Sequence, residues 1–317
     1  MDFLEKTRLV REKAMALGFS AVAIARAEKL EDDSNALNDW LENGNHGTMR
    51  WMEKEPEKRG DPTLLVEGAE SVICFATNYF TPFQHPKKAK VSRYAWGDDY
   101  HLVIKSRLNE FCNWFREIDP LATTKACIDT VPILEKAWAQ RAGLGWIGKH
   151  ANLITRELGS WVFLSECVTT AKLVYDQPFE EDHCGTCTAC IEACPTNAII
   201  AERVVDSRKC ISYATIELRS PALPEEIVRN LDGWLYGCDI CQDVCPWNRF
   251  EKPSEETAFN PRPFNLNPNL LEIAALTQEE FSSRYRNSAI KRTKVSGLKR
   301  NAEALLNHRT PENGAQE

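Results

Sequence analysis

The sequence predicts an α+β protein built from three parts, and three observations support this fold class. Helical and strand-like patterns alternate over residues 1–170, so we expect an N-terminal α/β domain there. Cysteines are concentrated in residues 171–250, which we expect to form a second, smaller domain. Residues 251–317 begin as a linker rich in proline and asparagine and continue as a short helical tail. We expect the last eight residues to be disordered.

Periodicity assigns the elements of the N-terminal domain. Apolar residues at helical spacing predict four helices, and short apolar runs predict five buried strands. The last two strands are expected to form a hairpin around residues 157–160. The predicted helices are 3–17, 35–43, 101–117 and 134–141, and the predicted strands are 19–25, 71–79, 126–130, 151–155 and 161–169.

The segment Ala142–Lys149 is rich in glycine but is not expected to bind a dinucleotide. Gly143, Gly145 and Gly148 follow a predicted helix, whereas a dinucleotide-binding loop follows a strand. A simple turn and a close approach of the backbone to a ligand explain these glycines equally well.

Eight of the twelve cysteines follow the spacing of a bacterial two-cluster ferredoxin. Two-residue gaps let one tight loop present three sulfurs to a 4Fe–4S cube. The fourth cysteine, followed by proline, turns away toward the other cube. This crossed pattern predicts a ferredoxin-like domain with two clusters. Cluster one takes Cys184, Cys187, Cys190 and Cys245, and cluster two takes Cys194, Cys210, Cys238 and Cys241.

Cys210 departs from the simple pattern, because it precedes Cys238 by 28 residues instead of three, which indicates an insertion. Structural zinc is not favoured, since this run of cysteines does not have a zinc spacing. A disulfide framework suits small secreted chains, whereas this chain has 317 residues and no signal peptide or membrane-spanning run. The other cysteines lie in apolar stretches and are expected to be buried in a reducing cytoplasm; they are Cys74, Cys112, Cys127 and Cys167.

Charge is distributed unevenly along the chain. The composition, 43% apolar and 27% charged, is typical of a globular protein, and the formal net charge is −7. Residues 284–300 nevertheless contain seven Lys or Arg and no Asp or Glu, so the rest of the chain carries −14. Such a segment is typical of a contact with phosphates, although a solvated helix face would show the same charges.

Two polar residues near element ends are candidates for chemistry. Asp129 ends a short apolar strand, where loss of solvent would raise the pKa of its carboxyl and suit it to donate a proton near neutral pH. Its alternative role is to cap the helix that begins near Pro132 and Glu135. His101, beside Tyr100, is either a metal ligand or a structural hydrogen-bonding residue.

Several segments together resemble the epoxyqueuosine reductase family. They match in order and spacing from the loop at 40–49 to Arg300–Asn301, so the resemblance covers nearly the whole chain. The matching segments are Arg93–His101, the Asp129-x2-Pro132-x2-Glu135 motif, Ala142–Lys149 and the two cysteine motifs.

The resemblance implies a cobalamin-dependent oxidoreductase that reduces the epoxide of epoxyqueuosine to the cyclopentene of queuosine at the wobble position of tRNA. It implies an N-terminal cobalamin-binding domain, similar to that of reductive dehalogenases, beside the two-cluster module. An external low-potential donor would supply the electrons.

The resemblance also implies roles for individual residues. Asp129 matches the family's proton donor. Many members carry an appended helical-repeat domain that this chain lacks, so we expect residues 284–301 to contact tRNA. The residues matched near the corrin are Arg59, Arg93, Tyr100, His101, Lys149 and Ser212, and those expected at tRNA are Arg292, Lys294 and Arg300.

Two other functions fit parts of the sequence. A two-cluster electron-transfer protein would explain the cysteines but would leave residues 1–170 without a role. A reductive dehalogenase usually carries a twin-arginine export signal, and Met1–Val10 shows none. We therefore expect a monomeric, cytoplasmic reductase that does not bind membranes.

Overall fold

A four-stranded antiparallel sheet forms the centre of the N-terminal region in the computed structural model, which describes residues 1–307. The disorder expected for the last eight residues concerns positions outside this range. Strand β2 is buried at every position, because it lies inside the sheet and both of its faces are covered. The strands, in spatial order, are β1 (Ala21–Arg26), β2 (Ser71–Asn78), β7 (Val162–Thr169) and β4 (Thr124–Cys127).

Helices cover both faces of this sheet. On one face lie α1 (Phe3–Ala16) and α4 (Tyr100–Ile118), whose buried residues recur every three or four positions and pack around Phe111. On the other face, α5 (Glu135–Arg141) buries Trp138 against the strands. The predicted α+β class is confirmed.

The helices and strands predicted for residues 1–170 are present, with boundaries shifted by a few residues. The predicted hairpin is wrong, because β6 (Leu153–Ile154) pairs with β5 (Trp146–Ile147) while β7 pairs with β2 and β4. A glycine is required in this small β5–β6 ribbon. A Cβ at Gly145 would clash with the carbonyl oxygen of Ile154, so the glycine permits a close approach of two backbones.

The cysteine-rich segment is joined to the N-terminal domain by backbone pairing. Strand β10 (Trp234–Tyr236) pairs in parallel with β3 (Lys90–Val91). The predicted insertion is present after Cys210 and forms α7 (Ile211–Ile216) and α8 (Glu225–Arg229). These elements share a small apolar core, so the insertion is a folded part of the module.

The insertion also contacts the N-terminal domain directly. The hydroxyl of Tyr213, on α7, accepts the backbone N–H of Thr48 at 2.8 Å. A Cβ at Gly47 would collide with the same tyrosine ring, so the neighbouring glycine makes this contact possible.

Eight further α-helices and two further strands complete the fold of residues 1–307. No helix within residues 1–307 combines the length and apolar character needed to span a membrane. The remaining elements are α2 (Glu31–Glu42), α3 (Pro56–Gly60), α6 (Ala189–Glu192), β8 (Ile199–Ala201), β9 (Val204–Val205), α9 (Ile240–Asp243), α10 (Pro263–Leu266), α11 (Leu270–Ala275), α12 (Gln278–Arg284) and α13 (Lys294–Asn307).

The C-terminal helices share an apolar core with the two preceding regions. Leu298 and Ala302 of α13 pack in one cluster with Trp96 and Tyr236. The tail is therefore helical, as predicted, and it is built into the rest of the molecule.

Arg300 lies in this interior, so the prediction that it contacts tRNA is wrong. It is 7% exposed, and its guanidinium donates to the carbonyl oxygens of Ala214, Leu218 and Ser220 at 2.8–2.9 Å. All three carbonyls belong to the insertion after Cys210. The positive charge at this position holds backbone together and does not face solvent.

We expect Arg300→Ala to reduce the free energy of unfolding by about 3 kcal/mol, because it leaves several buried carbonyls without a donor. Thermal unfolding measures the effect. Glu303→Ala, on an exposed position of the same helix, is the control and should change the midpoint little. An unchanged midpoint for Arg300→Ala, together with weaker RNA binding, would restore the surface role.

Candidate active site

A cavity of about 1070 Å³ opens between the N-terminal domain, the insertion and the start of the C-terminal helices. It brings together residues that are distant in sequence, and its walls include several aromatic rings. The residues predicted from the sequence that line it are Arg59, Tyr100, His101, Asp129, Cys210, Ser212 and Arg292.

A carboxylate–imidazole–carboxylate chain lies on one wall of this cavity. Asp99 caps α4, and its Oδ1 lies 2.7 Å from Nδ1 of His101. The other ring nitrogen, Nε2, lies 2.7 Å from Oδ2 of Asp129. Tyr100 stacks on the imidazole with a centroid distance of 4.1 Å. Both ring nitrogens are bonded to carboxylates, so the hydrogen-bonding role of His101 is favoured over the metal-ligand role.

The hydrogen-bonded arrangement of Asp99, His101 and Asp129 places the proton on His101 and leaves Asp129 ionised. Burial opposes the imidazolium, but hydrogen bonds to Asp129 and Asp99 raise the pKa of His101 to about 9. Burial also disfavours the Asp129 carboxylate, yet the hydrogen bond and charge of His101 hold its pKa below the usual value. The expectation of a raised pKa for Asp129 is wrong. Loss of solvent at the apolar strand favours a raised pKa, but the contact with His101 lowers it.

The loop that carries Asp129 has an unusual backbone geometry. Asp129 has a φ of 43°, in the left-handed region that a non-glycine residue adopts only when its surroundings hold it there. Oε1 of Glu135 accepts the backbone N–H of Asp129 at 2.6 Å. Burial and the charge of Asp129 together raise the pKa of Glu135 to about 7. The alternative capping role of Asp129 is wrong, since the N-cap of α5 is Leu134.

Arg59 provides a polar group on another wall of the cavity. It is 7% exposed, donates to the carbonyl oxygen of Trp51 at 3.1 Å, and lies 5.7 Å from the centre of the Trp51 ring. Its Nε is buried and has no hydrogen-bond partner among residues 1–307. A buried donor without a partner is costly, so we expect it to bind a polar group of a ligand.

Two residues matched near the corrin lie outside this cavity. Arg93 donates to the carbonyl oxygens of Thr81 and Phe83 and lines a separate cavity of about 810 Å³. Nζ of Lys149 donates to the carbonyl oxygen of Gly185, within the loop of the first cysteines. The structure therefore does not place Arg93 or Lys149 beside Asp129.

The predicted cluster ligands approach one another in the crossed pattern. Burial and, after it, the nearby charges of Cys184 and Cys245 together raise the pKa of Cys190 to about 11. Burial raises the pKa of Cys210, and Cys194 adds to the shift. This proximity supports the crossed assignment, including the ligand displaced by the insertion.

The remaining cysteines behave as predicted, since Cys74, Cys112, Cys127 and Cys167 are all buried. Within residues 1–307, no three His, Cys, Asp or Glu side chains converge closely enough to hold a single metal ion.

Only some of the positively charged residues in segment 284–300 border the cavity. Lys291 and Arg292 line the cavity, and Nε of Arg292 lies 2.7 Å from Oε1 of Glu217. Lys294 is exposed at the first position of α13. Because Arg300 is buried, the cationic surface beside the cavity comes from these exposed residues.

Three residues of the site were missing from the sequence-based prediction. Asp99 precedes a predicted helix, where aspartate is a common N-cap, and this signal alone could have indicated its position. Glu135 stands in the Asp129-x2-Pro132-x2-Glu135 motif, but the motif does not show that its carboxylate binds the Asp129 backbone. Glu217 has no signal in the sequence.

Two family models match the chain. The model described as epoxyqueuosine reductase QueG, DUF1730, matches residues 59–130. The model described as a 4Fe-4S double cluster binding domain matches residues 183–248. The first match contains Arg59, Arg93 and Asp129, and the second contains all eight predicted cluster ligands.

Curated relatives and a solved structure are similar over most of the chain. An epoxyqueuosine reductase of Cellulophaga algicola is 46% identical, with 94% of this chain and 97% of the relative covered. An epoxyqueuosine reductase of Synechocystis sp. is 47% identical, with 90% of this chain and 100% of the relative covered. The crystal structure of an epoxyqueuosine reductase with an epoxyqueuosine-modified tyrosine tRNA stem loop has a TM-score of 0.89 and 28% identity. It covers 95% of this chain and 81% of that one.

We expect His101 to titrate near pH 9 and Asp129→Asn to lower its pKa toward 6.5, because the substitution removes a carboxylate partner. The pKa of His101 is raised on folding, so its stabilising contribution is complete below about pH 6.5 and is lost as the pH rises through about 9. Histidine NMR titration measures the pKa.

His150 is an internal control for this titration, since burial lowers its pKa to about 4 and it should stay neutral throughout. A pKa of His101 at or below 6.5 in the unsubstituted protein would contradict the paired arrangement.

Proposed function

The chain belongs to the epoxyqueuosine reductase family, and from this premise we propose that its larger cavity is where the epoxide of tRNA-borne epoxyqueuosine is reduced to queuosine. The observation that carries this proposal is the position of Asp129 and His101 on the walls of the cavity that Cys210 also lines. A proton source and a cluster ligand thus border one space of about 1070 Å³.

The residues present fit the cofactors of this reaction. Removing an epoxide oxygen as water takes two electrons and two protons. When bound, two 4Fe–4S clusters and a cobalamin supply the one-electron relay and the reducing chemistry. The eight cysteines would hold the clusters, and Arg59, Tyr100 and Ser212 would line the corrin site. Nε of Arg59, which has no partner within residues 1–307, and the aromatic walls suit a large ring with amide side chains.

His101 and Asp129 act together as the acid. At neutral pH the proton lies on Nε2 of His101, which faces Oδ2 of Asp129. As negative charge develops on the epoxide oxygen, the proton on Nε2 of His101 passes to Oδ2 of Asp129 and from Asp129 to that oxygen, and His101 takes up the second proton from solvent. Asp99 stabilises the imidazolium, and Glu135 holds the loop that positions Asp129.

The RNA binds at the mouth of the cavity through the exposed basic residues. Lys291, Arg292 and Lys294 lie at or beside this mouth, and the rest of the chain is acidic. A local cationic surface on an acidic protein orients a polyanion and limits contact elsewhere. The substrate base leaves its stack in the anticodon loop to enter the cavity.

Each of the three regions of the chain has its own role in the proposed reaction. Residues 1–170 carry the proton-donating groups, residues 171–250 carry both clusters, and residues 251–317 contribute the basic contacts. An external low-potential donor reduces the clusters. The protein acts as a monomer in the cytoplasm, where reduced thiols persist.

We expect Asp129→Asn to retain both clusters and lose turnover by about 10²- to 10⁴-fold, because the amide cannot pass on the proton of His101. Conversion of an epoxyqueuosine stem loop, followed by mass spectrometry, measures turnover, and iron content and absorbance measure the clusters. Asp32→Asn, at an exposed position, is the matched control. Full activity of Asp129→Asn would remove this residue from the acid.

We expect Arg292→Glu with Lys294→Glu to weaken stem-loop binding and to flatten its salt dependence by about one unit of slope per lost phosphate contact. Fluorescence anisotropy at several salt concentrations measures both quantities. A protein carrying Lys172→Glu, an exposed change of the same kind elsewhere, should bind normally. Unaltered affinity and slope in the double variant would place the RNA on another surface.

A further inference from the structure

Trp146 lies in the interior beside the ligands assigned to cluster one. It is 1% exposed and forms a small core with Cys245, against which Cys184 and Trp247 also pack. It belongs to β5, where pairing with β6 holds its backbone. The indole is therefore fixed next to sulfur ligands from both cysteine motifs.

The indole N–H of Trp146 has no hydrogen-bond partner among residues 1–307. An unsatisfied buried donor is destabilising, so such a group usually has an acceptor in the complete molecule. The side chains around it are mainly rings and thiols. Its ring stacks on Phe179 at 5.4 Å between centroids and meets His183 and Trp247 edge to face at 4.9 and 4.8 Å.

The indole N–H of the neighbouring Trp247, unlike that of Trp146, has a hydrogen-bond partner. Nε1 of Trp247 donates to the carbonyl oxygen of His183 at 3.2 Å, so its hydrogen bond is satisfied within the protein. Two tryptophans thus pack in the same core, one with a bonded N–H and one without.

We propose that the indole N–H of Trp146 donates a hydrogen bond to a sulfur of cluster one and thereby raises the reduction potential of that cluster. The inference rests on the cluster assignment in the proposed function. Adding an electron makes the cluster more negative, so a donor on its sulfur stabilises the reduced state more than the oxidised state. Trp146 would make cluster one easier to reduce by the external donor.

The test is a redox titration of the fully loaded protein, followed by electron paramagnetic resonance. Trp146→Phe keeps an aromatic ring and removes the N–H, and one of the two cluster midpoints should become more negative. A change of about tenfold in the ratio of reduced to oxidised cluster corresponds to 59 mV for a one-electron couple. Trp247→Phe is the matched control and should leave both midpoints in place, because its N–H is already bonded within the protein.

A second measurement detects the hydrogen bond itself. In the reduced protein, electron–nuclear double resonance should show an exchangeable proton coupled to one cluster, and Trp146→Phe should remove that signal. If Trp146→Phe fails to load its clusters, replacement of Trp146 by benzothienylalanine removes the N–H and keeps the two-ring shape. Unchanged midpoints together with an unchanged proton signal would overturn the inference and leave the N–H directed at an aromatic ring.

These outcomes are independent of turnover. A protein with two loaded clusters that fails to convert epoxyqueuosine would refute the proposed function and still report the midpoints. A protein that converts the substrate normally, with midpoints indifferent to Trp146, would refute only this inference.

Discussion

The hydrogen bonds of the buried Asp239 carboxylate hold the cysteine-rich module on the N-terminal domain, and the arrangement of the site depends on them. It stands directly after Cys238, a predicted cluster ligand, and is 1% exposed. It accepts the hydroxyl of Ser92 and the backbone N–H of Arg93, and Nε2 of His85 lies 3.1 Å from it. A buried carboxylate needs several such partners, so these contacts hold the Cys238–Asp239 loop against the N-terminal domain.

That position explains why chemistry from two regions meets in one cavity. The pairing of β10 with β3, close to Asp239, holds the cysteine-rich module against the N-terminal domain. The insertion completes the arrangement, since α7 carries Ser212 into the cavity and ties Tyr213 to Thr48. Arg300 holds the insertion from within, so this basic residue has a structural role.

The sequence predicted those features that depend on local spacing. A 4Fe–4S cube needs cysteines at short fixed intervals, so the eight predicted ligands form a recognisable pattern, and helical periodicity likewise locates α4 and α5. The bond between His101 and Asp129 was not predictable in this way, because the two residues meet only when the helix and sheet pack. The charge pattern of a sequence does not show which charged residues are buried. Arg300 and Arg292 therefore look alike in the sequence, although the first is buried and the second is exposed.

The central claim is that one cavity unites a proton-donating pair, a corrin site and the ligand of a nearby cluster. Its most direct test is anaerobic reconstitution with iron, sulfide and cobalamin, followed by incubation of the reduced protein with a stem loop carrying epoxyqueuosine. We expect the protein to bind cobalamin and to convert the stem loop to queuosine, with no conversion when cobalamin is omitted. Loaded clusters without cobalamin binding, or conversion that does not require cobalamin, would contradict it.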